Sequence, residues 1–191
     1  MGKRRDTKSR MLDTAADLIQ RQGYASTGLN QILEVSGAPK GSLYFHFPGR
    51  KEELVALALE KSSESLSELL EQVLATAPTP ELALEMITGY FGSQLESSQF
   101  AKGCPLATVA LEQAATSDAL HEVCSRTYAR WQAAIAARLS RDGHAPERAD
   151  ALANFLLATI EGALLLCRAH RSIEPLRRAS AELARTLKGS P

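Results

Sequence analysis

Two short predicted helices that meet at a tight Gly-Ala-Pro turn, residues 37–39, constrain the fold of this chain most strongly. The first helix begins behind a hydroxyl cap at Ser26 or Thr27, and Gly37 provides the backbone conformation that ends it. Proline suits the start of the second helix, because its missing N–H would be unpaired in the first helical turn. The Pro-Gly pair at 48–49 then ends this second helix.

A longer predicted helix precedes this pair and is able to brace it. It runs from Asp6 or Thr7 to Gln22, and Gly23 supplies a left-handed stop. Its buried stripe is expected to consist of Met11, Leu12, Ala15, Leu18 and Ile19. The two short helices and their turn form a helix-turn-helix, and the longer helix braces it. In this motif the second short helix enters the major groove of DNA.

The rest of the chain also has the pattern of helices. Apolar residues recur at helical spacing, and no stretch alternates in the way a half-buried strand does. A long fourth helix opens at Lys51, and the segment 76–80, Thr-Ala-Pro-Thr-Pro, breaks the chain after it. Further helices are expected near 80–97, after Pro105, and near 117–139, 147–171 and 175–187. The predicted fold class is therefore all-α, with about nine helices.

Charge is distributed unevenly along the chain. Residues 1–51 contain nine Lys/Arg and four Asp/Glu, a net charge of +5, whereas the other 140 residues carry 13 and 18, a net charge of −5. A basic N-terminal segment followed by an acidic remainder is typical of a nucleic-acid-binding segment joined to a part of the chain with another role. No apolar run approaches the roughly 20 residues of a membrane span, so we expect a cytoplasmic protein without a membrane partner.

The short helix after the turn carries the residues that we expect to contact DNA. Lys40 can reach a phosphate, and the small Gly41 lets the backbone approach closely. Ser42, Tyr44 and His46 can donate hydrogen bonds to phosphates or base edges, and Phe45 can pack against thymine methyl groups. Leu43 and Phe47 are expected to face inward. The alternative for Tyr44 and His46 is that all these rings form a hydrophobic plug.

The segment STGLNQILEVSGAPKGSLYFHFPGRKEEL, residues 26–54, resembles the DNA-binding signature of the TetR family of bacterial transcriptional regulators. The Ala38-Pro39 version of the turn, together with KGCPLATVALE at 102–112, is similar to the LmrA/YxaF-like branch of that family. The resemblance implies a homodimeric repressor of double-stranded operator DNA that a small-molecule inducer releases. It also implies that Thr27 and Lys51 anchor phosphates. The basic segment 3–10 is expected to form a flexible arm along the DNA phosphates or the minor groove, with a solvated tail as the alternative.

The resemblance further implies two domains, a helix-turn-helix domain at 1–50 and a helical domain at 51–191 that binds ligand and dimerises. The helix over 151–170 is apolar nearly all round, so one of its faces is available for a partner subunit. The alternative is a purely intramolecular central helix. The residues that we expect at the dimer interface are Phe155, Ile160, Gly162, Ala163, Leu164 and Leu176.

Aromatic residues at helical spacing in the second half predict a ligand pocket, although each of them is also compatible with an ordinary core. The expected lining residues are Phe91, Thr108, Trp131 and Phe155. They favour an aromatic or other planar hydrophobic inducer.

The sequence is also compatible with two other functions. One is an all-α enzyme that uses Cys104 or Glu112, and the other is a DNA-binding dimer without a ligand. Against the enzyme, no nucleophile, base and orienting group assemble from the motifs, and no Gly-rich phosphate loop is present. Cys104, Cys124 and Cys167 are not at metal-ligand spacing, so we expect buried free thiols, no metal and no cofactor.

Overall fold

A computed structural model describes the backbone of residues 2–188 and the side chains of residues 7–188. These residues form nine α-helices and no strand. The helices are α1 (Gly2–Ser26), α2 (Leu29–Ser36), α3 (Lys40–His46), α4 (Arg50–Thr76), α5 (Pro80–Ser97), α6 (Pro105–Gln113), α7 (Asp118–Arg141), α8 (Pro146–His170) and α9 (Glu174–Lys188). The prediction of an all-α fold with about nine helices is confirmed.

The helices divide into two compact units. The first contains the residues through Ser65 together with Cys104–Arg126, and the second contains Leu66–Gly103 together with the residues from Thr127 onward. Consequently α4 and α7 each contribute residues to both units. The unit that holds the helix-turn-helix thus includes α6. The expected domain boundary after residue 50 divides the chain by function, not by compactness, and stays a prediction.

In the first unit, α1 packs against α2, α3 and α6. Gly23 interrupts α1 with φ 84° and ψ 171°, in a region that side chains disfavour, and Gly37 ends α2 in the left-handed conformation. The side chains that are fully buried in this unit include Met11, Ile19, Ile32, Leu43, Phe47, Leu54 and Leu59. Val35 of α2, although apolar, is 62% exposed.

In the second unit, α9 packs against both α8 and α5. The buried guanidinium of Arg138 closes the end of α4, where Nη1 donates to the carbonyls of Leu74 (2.7 Å) and Ala77 (2.8 Å). Its Nε donates to Asp142 at 2.6 Å. Because the last carbonyls of a helix lack partners within the helix, this arginine replaces bonds that α4 cannot make itself.

Helix α8 is long and apolar enough to cross a membrane by length and composition alone, and the core helices of soluble proteins pass the same test. Here its buried residues, among them Leu152, Ala153, Leu156 and Cys167, pack inside the second unit. We therefore interpret α8 as a core helix.

The basic segment 3–10 differs from its prediction as a flexible arm, because its backbone continues α1. The side chains of residues 3–6 lie outside the described residues. Among the others, the Lys8 ammonium lies 5.7 Å from the centroid of the Phe47 ring, so this part of the segment packs on the helix-turn-helix.

Candidate nucleic-acid interface

The turn between α2 and α3 holds the two short helices at a defined angle. Gly37 adopts φ 62° and ψ 25°, and the Ala38 N–H donates to Leu33 O at 3.2 Å. The Ser36 hydroxyl lies between these elements, donating to Leu33 O and accepting from the Ala38 N–H. Pro39 then precedes α3 with φ −60°, which its ring enforces.

Helix α3 has an inner face and an outer face. Leu43 and Phe47 point inward and are 2% and 0% exposed, as the sequence predicts. Tyr44 and Phe45 are 56% and 65% exposed, although both are large and aromatic. A hydrophobic plug would bury these two rings, so their exposure favours a surface that meets another molecule.

The remaining residues of α3 complete this outer face. Lys40 and Gly41 are exposed, and Ser42 and His46 are half-buried. The rings of Phe45 and His46 pack edge to face with their centroids 5.0 Å apart, which keeps the imidazole beside the exposed phenyl ring. We call Lys40, Gly41, Ser42, Tyr44, Phe45 and His46 the recognition face.

Thr27 does not cap α2, although the sequence predicts a cap at Ser26 or Thr27. The N-cap of α2 is Gly28, and no side chain caps this helix. The Thr27 side chain is fully buried, with its hydroxyl donating to Gly23 O at 2.7 Å and its N–H donating to Tyr24 O at 3.2 Å. Both of its donors are therefore used inside the protein, and the expected hydroxyl cap is wrong.

Lys51 is also tied to the protein. Its ammonium donates to Tyr24 O at 2.6 Å and lies 4.1 Å from the centroid of the Tyr24 ring. Burial lowers the pKa of Lys51, while the charge of Glu112 acts in the opposite direction. An ammonium has three donors, so two remain available for a phosphate.

The residues expected to line a ligand pocket are distributed over both units. Thr108 belongs to the first unit, where its hydroxyl donates to Cys104 O at 3.1 Å. Trp131 is only 3% exposed, and its indole N–H donates to Ser67 Oγ at 2.7 Å. Phe91 is half-buried, and Phe155 is 49% exposed.

The second unit contains other spaces, of which two lie beside α5 and α9. An apolar cavity of about 30 Å³ lies between α4, α5, α7, α8 and α9, with Leu84, Ile87, Leu139 and Leu156 among its walls. A more open groove of about 820 Å³ lies between α5 and α9. None of the four predicted pocket residues lines either space.

Four of the six residues expected at a dimer interface lie in the interior. Within a single chain, at most 7% of the surface of each is exposed, so little of it is left for a partner subunit to bury, and these four expectations are wrong. The four residues are Ile160, Ala163, Leu164 and Leu176. Phe155 and Gly162 are exposed, as an interface requires.

The exposed face of α8 contains two leucines that the sequence analysis missed. Leu165 and Leu166 are 61% and 50% exposed, and together with Phe155 and Gly162 they form what we call the α8 outer face. A groove of about 830 Å³ lies along part of this face and the start of α9. The helical spacing of Leu165 and Leu166 from Phe155 is visible in the sequence. However, the sequence of a helix that is apolar all round does not reveal which side is buried.

The proposed enzyme residues do not form a catalytic pair. Cys104 and Glu112 lie at opposite ends of α6, and eight residues of helix separate their backbones by about 12 Å. Cys104, Cys124 and Cys167 are buried, and none of the three forms a disulfide within the described residues. Burial raises the pKa of both Cys124 and Cys167, which favours their protonated form.

The helix-turn-helix and its exposed recognition face define a DNA-binding protein of the helical regulator class. Residues 11–58 match the family of bacterial regulatory proteins named for tetR, and residues 80–182 match the C-terminal domain of LmrA/YxaF-like transcriptional regulators. The chain belongs to the TetR family, within its LmrA/YxaF-like branch.

Individual relatives agree with this assignment. The chain is 36% identical to the HTH-type transcriptional regulator YxaF of Bacillus subtilis over 92% of each chain. It is 32% identical to the regulator LmrA of the same organism, over 96% of this chain and 97% of LmrA. A TetR transcriptional regulator from Chloroflexus aurantiacus has the same fold, with a TM-score of 0.85, 28% identity and coverage of 100% of this chain and 98% of the other. The family and these relatives are transcriptional regulators, not enzymes.

Proposed function

We propose that this DNA-binding regulator is a cytoplasmic, homodimeric repressor that leaves a palindromic operator when a small hydrophobic inducer binds. The observation that carries the proposal is the recognition face, where Tyr44 and Phe45 are more than half exposed beside Lys40. In this proposal residues 1–50 contact DNA, and residues 51–191 bind the inducer and dimerise.

A dimer follows from the small size of the recognition face. One short helix reads only a few base pairs, so two copies spaced by one helical turn of DNA are needed for a specific site. The α8 outer face supports such a partner, because it exposes Phe155, Leu165 and Leu166 around the side-chain-free Gly162. Four helices, two from each subunit, would pack there as a bundle.

The inducer is proposed to bind in the second unit. Its apolar cavity of about 30 Å³ is far below the 300–1,000 Å³ that drug-sized ligands occupy, so binding there requires the helices around it to separate. A ligand that binds only the separated arrangement shifts the equilibrium toward it, and this is the physical basis of release. Trp131 is the only tryptophan of the chain and lies in this unit, so its fluorescence is a direct probe.

The first experiment is selection of bound genomic DNA fragments by the purified protein at a stated salt concentration. Enrichment of a palindromic site supports the regulator, and the neighbouring genes suggest inducers to test against Trp131 fluorescence. Binding of all fragments alike would contradict an operator. A specific operator with no response to a broad set of hydrophobic compounds would instead support a DNA-binding dimer without a ligand.

Removing the Lys40 ammonium should weaken binding to all DNA. The slope of log affinity against log salt is negative, and each lost phosphate contact reduces its magnitude by about 0.9, because fewer counterions are released. We expect Lys40→Ala to show this decrease in a salt titration, whereas Lys188→Ala, at an exposed lysine of α9, leaves the slope unchanged. An unaltered slope for Lys40→Ala would remove this residue from the interface.

Placing a charge on the α8 outer face should separate the subunits. Leu165→Glu puts a carboxylate on a surface that a partner would bury, and an unpaired buried charge is costly. We expect monomers in sedimentation equilibrium and loss of operator binding. Leu111→Glu is the control, because Leu111 is 82% exposed on α6 and belongs to the other unit. A dimer that survives Leu165→Glu unchanged would place the interface elsewhere.

A further inference from the structure

The peptide bond between Tyr24 and Ala25 is held at both ends by charged side chains. At one end the Lys51 ammonium, from the first turn of α4, donates to Tyr24 O at 2.6 Å. At the other end the Ala25 N–H donates to Oε2 of Glu112, from the last turn of α6, at 2.8 Å. The positive group meets the carbonyl and the negative group meets the N–H, so both charges match the dipole of this peptide. We call this arrangement the Tyr24–Ala25 clamp.

The backbone beside the clamp is shaped to admit the carboxylate. Gly23 has φ 84°, and a methyl group at this position would overlap Oε1 of Glu112. The Thr27 hydroxyl fixes the carbonyl of the same glycine at 2.7 Å. The carboxylate of Glu112 therefore lies where any other residue at position 23 would have its side chain.

The clamp lies at the junction that carries the recognition face. Residues 23–28 connect the main part of α1 to α2, and α2 leads through the Gly37 turn into α3. A second bond involves the neighbouring residue of α4, since the Ser117 hydroxyl, between α6 and α7, donates to Glu52 in the first turn of α4. Helix α6 thus holds the connection between α1 and α2 through the Glu112 side chain, in addition to its packing against α1.

The charges of the clamp support each other. Burial lowers the pKa of Lys51, and the carboxylate of Glu112 partly restores it by favouring the charged ammonium. Loss of the carboxylate would therefore release the Ala25 N–H and remove a charge that favours the ammonium bound to Tyr24 O. The bond to the Ala25 N–H depends on a residue 87 positions away along the chain.

We propose that Glu112 is a positioning residue for operator recognition, which sets the orientation of the helix-turn-helix by fixing the Tyr24–Ala25 peptide from α6. The inference rests on the proposed function, because it explains how strongly the regulator binds its operator. It gives Glu112 a role in place of the catalytic one that the sequence left open.

The experiment compares full-length Glu112→Ala and Glu112→Gln with a control, Glu122→Ala. Glu122 is an exposed carboxylate in the same unit, and its contact is an ion pair with Arg126 on its own helix. The two alanine variants remove the same charge, so the net charge of the protein changes equally in both, and the ratio of operator to random binding is the quantity compared. Affinity is measured for the selected operator and for random DNA of equal length, alongside thermal unfolding and the exchange rate of the Ala25 amide.

We expect Glu112→Ala to weaken operator binding about tenfold, the scale of one charge-assisted hydrogen bond, without weakening random DNA binding. Glu112→Gln should retain most of the affinity, because its amide oxygen still accepts from the Ala25 N–H. Glu122→Ala should not lower the ratio of operator to random binding. In the free protein, Ala25 exchange should accelerate in Glu112→Ala and stay near wild type in Glu112→Gln.

Two results would overturn the inference while leaving the regulator intact. One is unaltered Ala25 exchange in Glu112→Ala, which would mean that the clamp does not exist in solution. The other is an equal loss of affinity for operator and random DNA together with a lower unfolding temperature, which is the result of a merely structural role. If the wild-type protein selects no operator at all, the proposed function fails, and the inference fails with it whatever Ala25 does.

Discussion

Phe47→Ala is expected to lower the free energy of unfolding of the first unit by about 3–5 kcal/mol, the usual cost of removing a buried phenyl ring. The Phe47 side chain is fully buried at the end of α3, so its truncation leaves a cavity in the core of the first unit. The measurement is chemical denaturation followed by circular dichroism. Operator binding should fall as a consequence of the weakened fold.

The matched control lies two residues away on the same helix. Phe45 is 65% exposed, so Phe45→Ala should change the free energy of unfolding by no more than about 0.5 kcal/mol while still weakening DNA binding. The two substitutions remove the same group and should therefore separate stability from recognition. Similar losses of stability for both would revive the interpretation of the α3 rings as a single hydrophobic plug.

Trp131→Ala is expected to destabilise the second unit by about 3–5 kcal/mol, since it removes the largest side chain from a buried position. The indole is 3% exposed, and the Tyr128 ring packs edge to face against it with centroids 5.6 Å apart. Because this substitution also removes the only tryptophan, unfolding is followed by circular dichroism.

Trp131→Phe separates the ring from its hydrogen bond. It keeps most of the apolar volume but leaves the Ser67 hydroxyl, which is 1% exposed, without the indole N–H, at a cost of about 1–3 kcal/mol. Adding Ser67→Ala should recover part of that loss, because both polar partners are then absent. A small effect of Trp131→Ala on stability, with a large effect on inducer binding, would instead support the expected place of Trp131 in a ligand pocket.

The positions of the helices were accessible from the sequence because they depend on local chemistry. The ring of Pro39 fixes its own φ, whereas Gly23 and Gly37 permit a positive φ because they lack a side chain. Each of the three lies at a helix boundary that the pattern predicts. The inward pair Leu43 and Phe47 follows from helical spacing alone. Thr27 shows the limit of such reasoning, because a hydroxyl before a helix can bond backward as well as forward, and here it bonds to Gly23 O.

The candidate sites were less accessible because they depend on which helices meet. The recognition face was predictable, since it is the side of α3 opposite two obvious core residues. The α8 outer face was not, because Phe155, Ile160 and Leu165 are equally apolar and only packing against α5 and α9 distinguishes them.

The amino-acid sequence by itself therefore determined the all-α class and the helix-turn-helix, because local backbone sterics and a 3.6-residue apolar period act within a few residues. The TetR family followed from the resemblance of residues 26–54 and 102–112 to the motifs of that family. Only the tertiary structure decided that Ile160 is interior while Leu165 is exposed, and that Glu112 holds the Ala25 N–H. A contact across 87 positions exists only once α6 has packed on α1, and no local pattern specifies which faces of two helices come together.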